Sequence, residues 1–356
     1  MSKSKSDLLN LVSSFDEATS FWRESFTASD NAVSKIQSAK VDKPLQEFTK
    51  LIKLIKAHTT KVGIIFKPEN IKKDVNPAYK TLKDLSETLV LLVSIIAQLQ
   101  AKVISQLFYD EILLQIKQLL DSNSGFGKEL KLIVEDESAE EKETKKDEID
   151  GRLVSVGKIW TICDSLIQLI QDGKFGLLTS KIKLSIDLIE DGYEEFEEWA
   201  KNPTEFDEED PFGFSDDESI EEDEEDGANP PTTEAEDESE PDASKEELKA
   251  FAQKWSKNID LVKLLIASFK KSLPATTEGE IVDQVYKLQN NLVSLIDKLI
   301  VDLMLDQTID DDVKEYTNSI TKESRSLAKI GIDVHQTNAK KSKWYEAWIT
   351  KFNTDL

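Results

Sequence analysis

The chain has 356 residues, of which 39% are hydrophobic and 32% are charged, and its formal net charge at pH 7 is −25. This length has room for two domains, or for one domain and an inserted segment, with enough apolar residues for a core. The negative charge argues against a general nucleic-acid binder, because such a protein repels phosphate.

The N-terminal half is predicted to be a bundle of about five helices. Glycine and proline are scarce, at 12 and 9 residues, and strict apolar–polar alternation never persists, so no substantial sheet is expected. Pro44 stands where one helix begins, and Pro68 is expected to close that helix. Helices are expected at about residues 7–39, 44–66, 76–108, 153–170 and 174–199. After residue 108 the helical periodicity persists to Leu120, and the SNSGFG stretch is expected to break it. Residues 135–148 are expected to form a charged loop or a frayed helix.

All of the excess negative charge lies in one segment. From Glu190 to Asp242 there are 26 acidic residues and one basic residue, Lys201. Self-repulsion and the near absence of apolar residues predict a disordered acidic linker over residues 202–243. The rest of the chain is close to neutral.

Helical periodicity returns after the linker. The tetrapeptide Ser244–Glu247, SKEE, has the residues of a capping box, which is typical of a helix start. Further helices are expected at about residues 280–305, 310–330 and 342–352. The sequence therefore predicts an all-α, two-lobed protein with an N-terminal helical bundle over residues 1–201, the linker over 202–243 and a smaller C-terminal helical domain over 244–356.

The sequence holds no recognisable catalytic or metal site. His58 and His335 each lack a nearby His or Cys, whereas a zinc site needs three or four clustered ligands. Cys163 lies in an apolar stretch, where a small buried thiol is the expected role. The stretch Asn123–Leu130, NSGFGKEL, lacks the first glycine of a phosphate loop. We therefore expect no enzyme, no cofactor and no metal.

The sequence also predicts a protein that does not bind membranes. Its N-terminus is charged and serine-rich, without an apolar run of signal-peptide length. The most apolar stretch, Thr88–Ala101, has 14 uncharged residues, fewer than the roughly 20 that a spanning helix needs. We expect no membrane contact and a cytosolic or nuclear location.

The acidic linker is interpreted as a calcium loop, a paired-carboxylate active site or a disordered tether, and the tether interpretation includes both recruitment and phosphorylation. A paired-carboxylate site fits badly, because such a site needs a fixed apolar environment that this segment lacks. A calcium loop fails, because placing Gly227 at its sixth position puts Thr233 where a bidentate Glu is required. A recruiting segment would use its two apolar anchors, Phe212 and Phe214, as partner-binding residues. A phosphorylated segment would use three serines that precede acidic residues and suit an acidophilic kinase, namely Ser215, Ser219 and Ser239.

Lysines form a second charged region. Between Lys40 and Lys83 there are 11 lysines and 4 acidic residues. Lys50, Lys53 and Lys56 recur every three residues on one helix face. This basic face is either an ordinary solvated surface or a binding site that the acidic linker covers in competition with an outside partner.

The last predicted helix carries two tryptophans. Trp344 and Trp348 are four residues apart and therefore share one helix face. Both core packing and partner binding remain open for this pair, and we take both residues as candidate partner-binding residues.

Several stretches, in their order along the chain, resemble the cyclin-D-interacting protein family. They are Phe21-Trp22-Arg23, VSVGKIWTICDSL at Val154–Leu166, the Asp210-Pro211 start of the acidic run, IVDQVYKLQNNLVSLIDKL at Ile281–Leu299, and the tryptophan-bearing end Trp344–Phe352. The similarity spans most of the chain. Two departures are a longer acidic tract and a weak leucine-zipper-like regularity.

The resemblance implies an all-helical protein in two domains without enzymatic activity. Animal members of the family bind D-type cyclins and helix–loop–helix transcription factors, restrain cell-cycle progression, and occur in nucleus and cytoplasm. By resemblance we expect a non-enzymatic regulator of cyclin-like or helix–loop–helix partners in both compartments. The alternative is an acidic chaperone that shields a basic client, such as a histone or ribosomal protein, through its polyacidic segment.

Overall fold

The computed structural model describes residues 2–26, 40–135, 151–203 and 243–354. Helices make up 88% of these residues, and no strand occurs within them. The helices are α1 (Lys5–Ser25), α2 (Pro44–Ile65), α3 (Pro68–Lys73), α4 (Asn76–Ile96), α5 (Ala101–Ile104), α6 (Gln106–Glu135), α7 (Gly151–Trp199), α8 (Ala243–Ser272), α9 (Gly279–Asp306), α10 (Asp311–Val334) and α11 (Ala339–Thr354). The predicted all-α fold class is confirmed.

Local sequence signals explain where several helices begin. At the start of α1, the Ser4 hydroxyl accepts a hydrogen bond from the Asp7 amide at 3.1 Å, and the Asp7 carboxylate accepts one from the Ser4 amide at 2.8 Å. This reciprocal arrangement is a capping box. Asp310 caps α10 by accepting a hydrogen bond from the Val313 amide at 2.8 Å. Proline occupies one of the first two positions of α2, α3 and α4.

The chain divides into two compact units. The first contains residues 1–178 and 278–283, and the second contains residues 179–277 and 284–356. This division falls inside α7, whereas the sequence analysis placed it at residue 201. Gly173 interrupts the helical backbone of α7 with φ 64° and ψ −170°, at the break predicted from Asp172-Gly173. Residues 204–242 of the predicted linker lie outside the described residues, so the linker remains a prediction.

The core of the first unit is built by packing α1 against α4 and α6, and α2 against α4. Phe15, Phe48 and Phe126 are among its fully buried side chains. Gly127 of α6 lies against Phe15, and a Cβ there would come within 3.2 Å of the Phe15 ring. The missing side chain therefore lets α1 and α6 approach closely.

The predicted continuous helix from residue 76 towards Leu120 is wrong, because α4 ends at Ile96 and α6 begins at Gln106. Between them Ser105 has a φ of 87°, in the left-handed region. The Asp283 carboxylate accepts hydrogen bonds from the Gln106 amide at 2.8 Å, the Leu107 amide at 3.0 Å and the Ser105 hydroxyl at 2.8 Å. This cap on α6 comes from a residue far away in sequence, so local patterns could not reveal it.

Three other helix boundaries also differ from the prediction. The SNSGFG stretch does not break α6, which runs from Gln106 to Glu135, and the Asn123 side-chain Nδ2 donates a hydrogen bond to the Leu119 carbonyl at 2.8 Å within it. Pro68 begins the short helix α3, which the sequence analysis missed. The helix α8 begins at Ala243, so Ser244 is not its N-cap.

The second unit has its core among α8, α10 and α11, which pack against one another. The second half of α7 contacts α8, where the Tyr193 hydroxyl lies 3.1 Å from the Ser256 hydroxyl. The Lys263 ammonium lies 4.2 Å from the centroid of the Tyr193 ring, and burial raises the pKa of Tyr193. Tyr193 is therefore a neutral structural phenol.

Candidate interaction surfaces

The two candidate tryptophans of α11 lie in different environments. Trp348 is 4% exposed, donates a hydrogen bond to the Leu261 carbonyl at 2.8 Å, and stacks on Phe352 with ring centroids 4.7 Å apart. A buried indole with a satisfied N–H belongs to the core of the second unit. Trp344 is 38% exposed and meets Tyr345 edge-on, so it can contact a partner.

The candidate residues of the acidic linker lie outside the described residues. Phe212 and Phe214 remain predictions as partner-binding residues. Ser215, Ser219 and Ser239 remain predictions as phosphorylation sites.

The three lysines of the predicted basic face differ in their pairing. The Lys50 ammonium lies 2.6 Å from the Glu47 carboxylate, and the Lys56 ammonium lies 2.6 Å from the Asp164 carboxylate on α7. Lys53 is exposed and has no ion-pair partner within the described part of the chain. The face is therefore less basic than the sequence suggests, since α7 neutralises one of its charges.

Antiparallel packing of α2 and the first half of α7 creates a surface that the sequence analysis did not identify. Three contacts join the two helices: Lys56 with Asp164, Thr60 with Trp160, and Gly63 with Val156. A Cβ on Gly63 would lie 2.7 Å from a methyl group of Val156. The two helices are therefore held together closely along about two turns.

The outer side of this helix pair exposes apolar side chains. Ile64 is 59% exposed, Leu153 is 54% exposed and Trp160 is 38% exposed. Residues three or four apart share a helix side, so α2 adds Lys53, Ala57 and Thr60 in line with Ile64, and α7 adds Gly157 between Leu153 and Trp160. We call this surface the α2–α7 face.

The composition of α7 is also unusual. Of the described helices, α7 alone is long and apolar enough to cross a membrane, and 28% of its most apolar 18-residue window is buried. Length and composition are weak evidence for a membrane span, since core helices of soluble proteins meet the same criterion. The predicted absence of membrane contact remains a prediction. Several large apolar side chains of α7 are nevertheless exposed, among them Leu153, Val154 and Trp160.

A second concave surface lies beside the N-terminus of α2. Residues 40–46 and 97–104 line a cleft of about 520 Å³. At its edge the Val41 amide donates a hydrogen bond to the Gln98 side chain at 2.9 Å. Residues 27–39, which lead into this cleft, lie outside the described residues, so no occupant can be assigned to it.

Two titratable residues singled out from the sequence, Cys163 and His335, are buried. Burial raises the pKa of the Cys163 thiol to about 12, so the thiol is neutral at physiological pH. His335 is 2% exposed, and burial together with the Lys341 charge lowers its pKa. Within the described ranges, no group of three or more His, Cys, Asp or Glu side chains could hold a metal ion.

Comparison with known proteins finds a family model that matches the segment containing the α2–α7 face. Residues 47–202 match the family model described as Grap2 and cyclin-D-interacting, N-terminal. This segment is therefore similar to the N-terminal region of the cyclin-D-interacting proteins. The match confirms the resemblance seen in the sequence, and it covers α3 to α7 together with nearly all of α2.

Two fungal proteins are similar to this chain beyond the matched segment. An uncharacterized protein of Saccharomyces cerevisiae is 28% identical, with 97% of this chain and 96% of the yeast protein aligned. An uncharacterized protein of Schizosaccharomyces pombe is 23% identical, with 88% of this chain and 87% of the relative aligned. Most of the chain therefore has counterparts in two proteins, each aligned over most of its own length.

The sequence analysis quoted Trp160 only within the stretch that carried the family resemblance. A stronger signal was available in the same stretch. Residues 153–170 have apolar side chains on more than one helix side, which a helix with one buried side does not need. Such a pattern predicts either a fully buried helix or a helix with an interaction surface.

Proposed function

We propose that this protein is a non-enzymatic interaction protein that regulates another protein by binding one of its helices. The observation that carries the proposal is the exposed apolar α2–α7 face around Trp160, which lies inside the segment matched to the cyclin-D-interacting family. The description of the matching family names an interaction with cyclin D. By analogy, we propose a cyclin-like or helix–loop–helix protein as the partner.

The physical mechanism is helix-to-helix packing. Two adjacent antiparallel helices leave a groove between their ridges, and a third amphipathic helix can lay its apolar side into that groove. Binding hides the partner's apolar side from other proteins, which is sufficient for regulation without chemistry. The Cys163 thiol is neutral and the His335 imidazole is buried, so neither side chain is available at the surface as a reactive group. Both observations suit this role.

The proposal is tested by affinity capture from native extract with the full-length protein and a variant lacking residues 205–242. We expect both proteins to capture the same partner with similar affinity, because the proposed surface lies in α2 and α7. Loss of the partner on deletion, together with steep salt dependence, would instead support the acidic-chaperone alternative. Mass spectrometry identifies the captured proteins.

We also propose that the protein works in nucleus and cytoplasm and is phosphorylated at Ser215, Ser219 and Ser239. The support is the run of acidic residues after each serine and the properties of the resembling family. Each phosphate would add roughly −1.5 to −2 charges. Cell fractionation tests the location. Mass spectrometry of the endogenous protein tests the phosphorylation, and three unmodified serines would contradict it.

A further inference from the structure

We infer that the α2–α7 face binds an amphipathic helix of another protein whose apolar stripe is bordered by Asp or Glu residues. This inference rests on the proposed function and names its site and the chemistry of its partner. Four observations carry it: a fixed indole, open space beside that indole, uncovered apolar neighbours, and an excess of unpaired lysines.

The indole of Trp160 is held in one orientation. Its N–H donates a hydrogen bond to the Thr60 hydroxyl at 3.1 Å, and the Lys56 ammonium lies 5.7 Å from the ring centroid. Asp164 in turn holds Lys56 at 2.6 Å. Since these contacts immobilise the side chain before binding, a partner that covers it loses little additional conformational entropy. Tryptophan is among the residues most enriched at binding hot spots.

Space for a partner side chain exists next to this indole. A Cβ built on Gly157 would meet no atom within 4 Å, and Gly157 lies one turn before Trp160 on α7. The apolar neighbours Leu153 and Ile64 are more than half exposed. A partner side chain such as Leu or Phe can therefore approach the backbone of α7 beside the Trp160 ring and pack against these exposed apolar side chains.

The charge around the face selects an acidic partner. Within α2 and residues 151–170 of α7, the acidic residues are Glu47 and Asp164, and each is already paired with a lysine. The remaining lysines, Lys53, Lys61 and Lys158, are exposed and have no ion-pair partner in the described part of the chain. Carboxylates at the borders of the partner's apolar stripe would meet these ammonium groups, speed association and fix orientation.

An anionic membrane surface would share the attraction to lysine and to apolar side chains. One feature favours a protein helix over a membrane. The Asp164 carboxylate, 60% exposed at the side-chain level, would face the anionic headgroups of a bilayer.

The test uses the full-length protein with the photo-crosslinking amino acid p-benzoylphenylalanine at position 161. Thr161 is exposed on α7 and its hydroxyl donates to the Gly157 carbonyl at 3.1 Å. Thr350 of α11 is the matched control site, because it is also exposed and its hydroxyl donates to the Glu346 carbonyl at 3.0 Å. After irradiation in native extract, the cross-linked peptide is sequenced.

We expect a cross-link from position 161, and none from position 350, to a peptide with apolar residues three or four apart and Asp or Glu beside them. Trp160→Ala should weaken this partner at least about tenfold, the range of a hot spot. Leu305→Ala should leave it unchanged, because Leu305 is a 76% exposed apolar side chain on α9 with no place in the α2–α7 face. Lys53→Glu should weaken the complex and reduce its salt dependence.

Four outcomes would overturn the inference. They are a cross-link to a second copy of this chain, a cross-linked peptide without acidic borders, a partner that Leu305→Ala removes and Trp160→Ala does not, and binding only to vesicles of phosphatidylcholine with one-fifth phosphatidylserine. In the second and third cases the protein still binds another protein, so the proposed function stands. After a cross-link to a second copy, the affinity capture described above decides the proposed function separately. If the wild-type chain captures no protein at all, the proposed function fails as well.

Discussion

Trp160 and Trp348 show how two tryptophans in helices of similar sequence character can have opposite roles. Trp348, in the second unit, is 4% exposed and donates its N–H to a main-chain carbonyl, that of Leu261. Trp160, in the first unit, is 38% exposed and donates its N–H to the Thr60 side chain. Both N–H groups are satisfied, so hydrogen bonding alone does not separate a core indole from a surface indole.

The surroundings of the two indoles do separate them. Trp348 stacks on Phe352 and is enclosed by the core of the second unit. Trp160 has a charged neighbour, Lys56, and open space at Gly157. A core site removes water from every side of the ring, whereas the α2–α7 face fixes the ring and leaves one side uncovered. A side chain that is held in place but only partly covered is expected at a docking surface.

The largest expected effect contrasts the two indoles directly. Trp348→Ala should lower the free energy of unfolding by about 3–5 kcal/mol, the range for removing a buried large aromatic side chain. Trp160→Ala should lower it by less than about 1 kcal/mol, because its ring is partly in water already. Urea unfolding followed by circular dichroism measures both. Equal losses in the two variants would mean that the α2–α7 face is a structural surface.

A second contrast uses two helical glycines. A Cβ on Gly331 would lie 2.5 Å from the Tyr345 ring. The Tyr345 hydroxyl lies 3.0 Å from the Ser268 hydroxyl and 3.1 Å from the Ser272 hydroxyl, so the ring is held in place. Gly331→Ala should therefore destabilise the protein by about 1–3 kcal/mol through overpacking. Gly157→Ala meets no neighbour and should stabilise the helix by about 0.5–1 kcal/mol. Thermal unfolding should show melting temperatures that move in opposite directions.

The third expectation concerns pH and the core of the second unit. Burial, together with Lys341, lowers the pKa of His335 below its usual value near 6.5. As the pH falls below about 6.5, the unfolded chain takes up the proton before the folded chain does, so stability decreases. Urea midpoints measured from pH 7.5 down to pH 5.5 should fall, and His335→Gln should reduce that slope. An unchanged slope in the variant would assign the pH effect to other groups.

The smallest expected effect tests the pre-organisation of Trp160. Thr60→Val keeps the shape of the side chain and removes the acceptor of the Trp160 N–H bond. The unfolding free energy should fall by less than about 1 kcal/mol, since the indole can turn to water. Affinity for the captured partner should fall more than stability does, which calorimetry of the purified complex would show. Unaltered affinity would mean that the orientation of the indole is unimportant.

The sequence was sufficient for the features that depend on local patterns. Proline and the apolar period predicted α2 within one residue, and Asp172-Gly173 predicted the interruption of α7. The periodicity of α9 and α10 gave boundaries within about four residues. The family resemblance was also visible in the order of short motifs, and the match over residues 47–202 confirms it.

The features that the sequence did not reveal depend on contacts between distant residues. The beginning of α6 is set by Asp283, and SNSGFG stays helical because Gly127 packs on Phe15. The α2–α7 face arises because Gly63 admits Val156, a contact that neither helix shows by itself. For Trp344 and Trp348, helical spacing gave both residues the same expected environment, although only Trp348 is enclosed.

The cap on α6 has a consequence for synthesis of the chain on the ribosome. The Asp283 carboxylate that accepts the first amides of α6 follows Ser105 by 178 residues. While the N-terminal helices emerge, those amides can bond only to water, and the first unit completes its hydrogen bonding after the start of α9 has been translated. The first unit therefore completes the hydrogen bonds at the start of α6 only after α7, α8 and the start of α9 have left the ribosome.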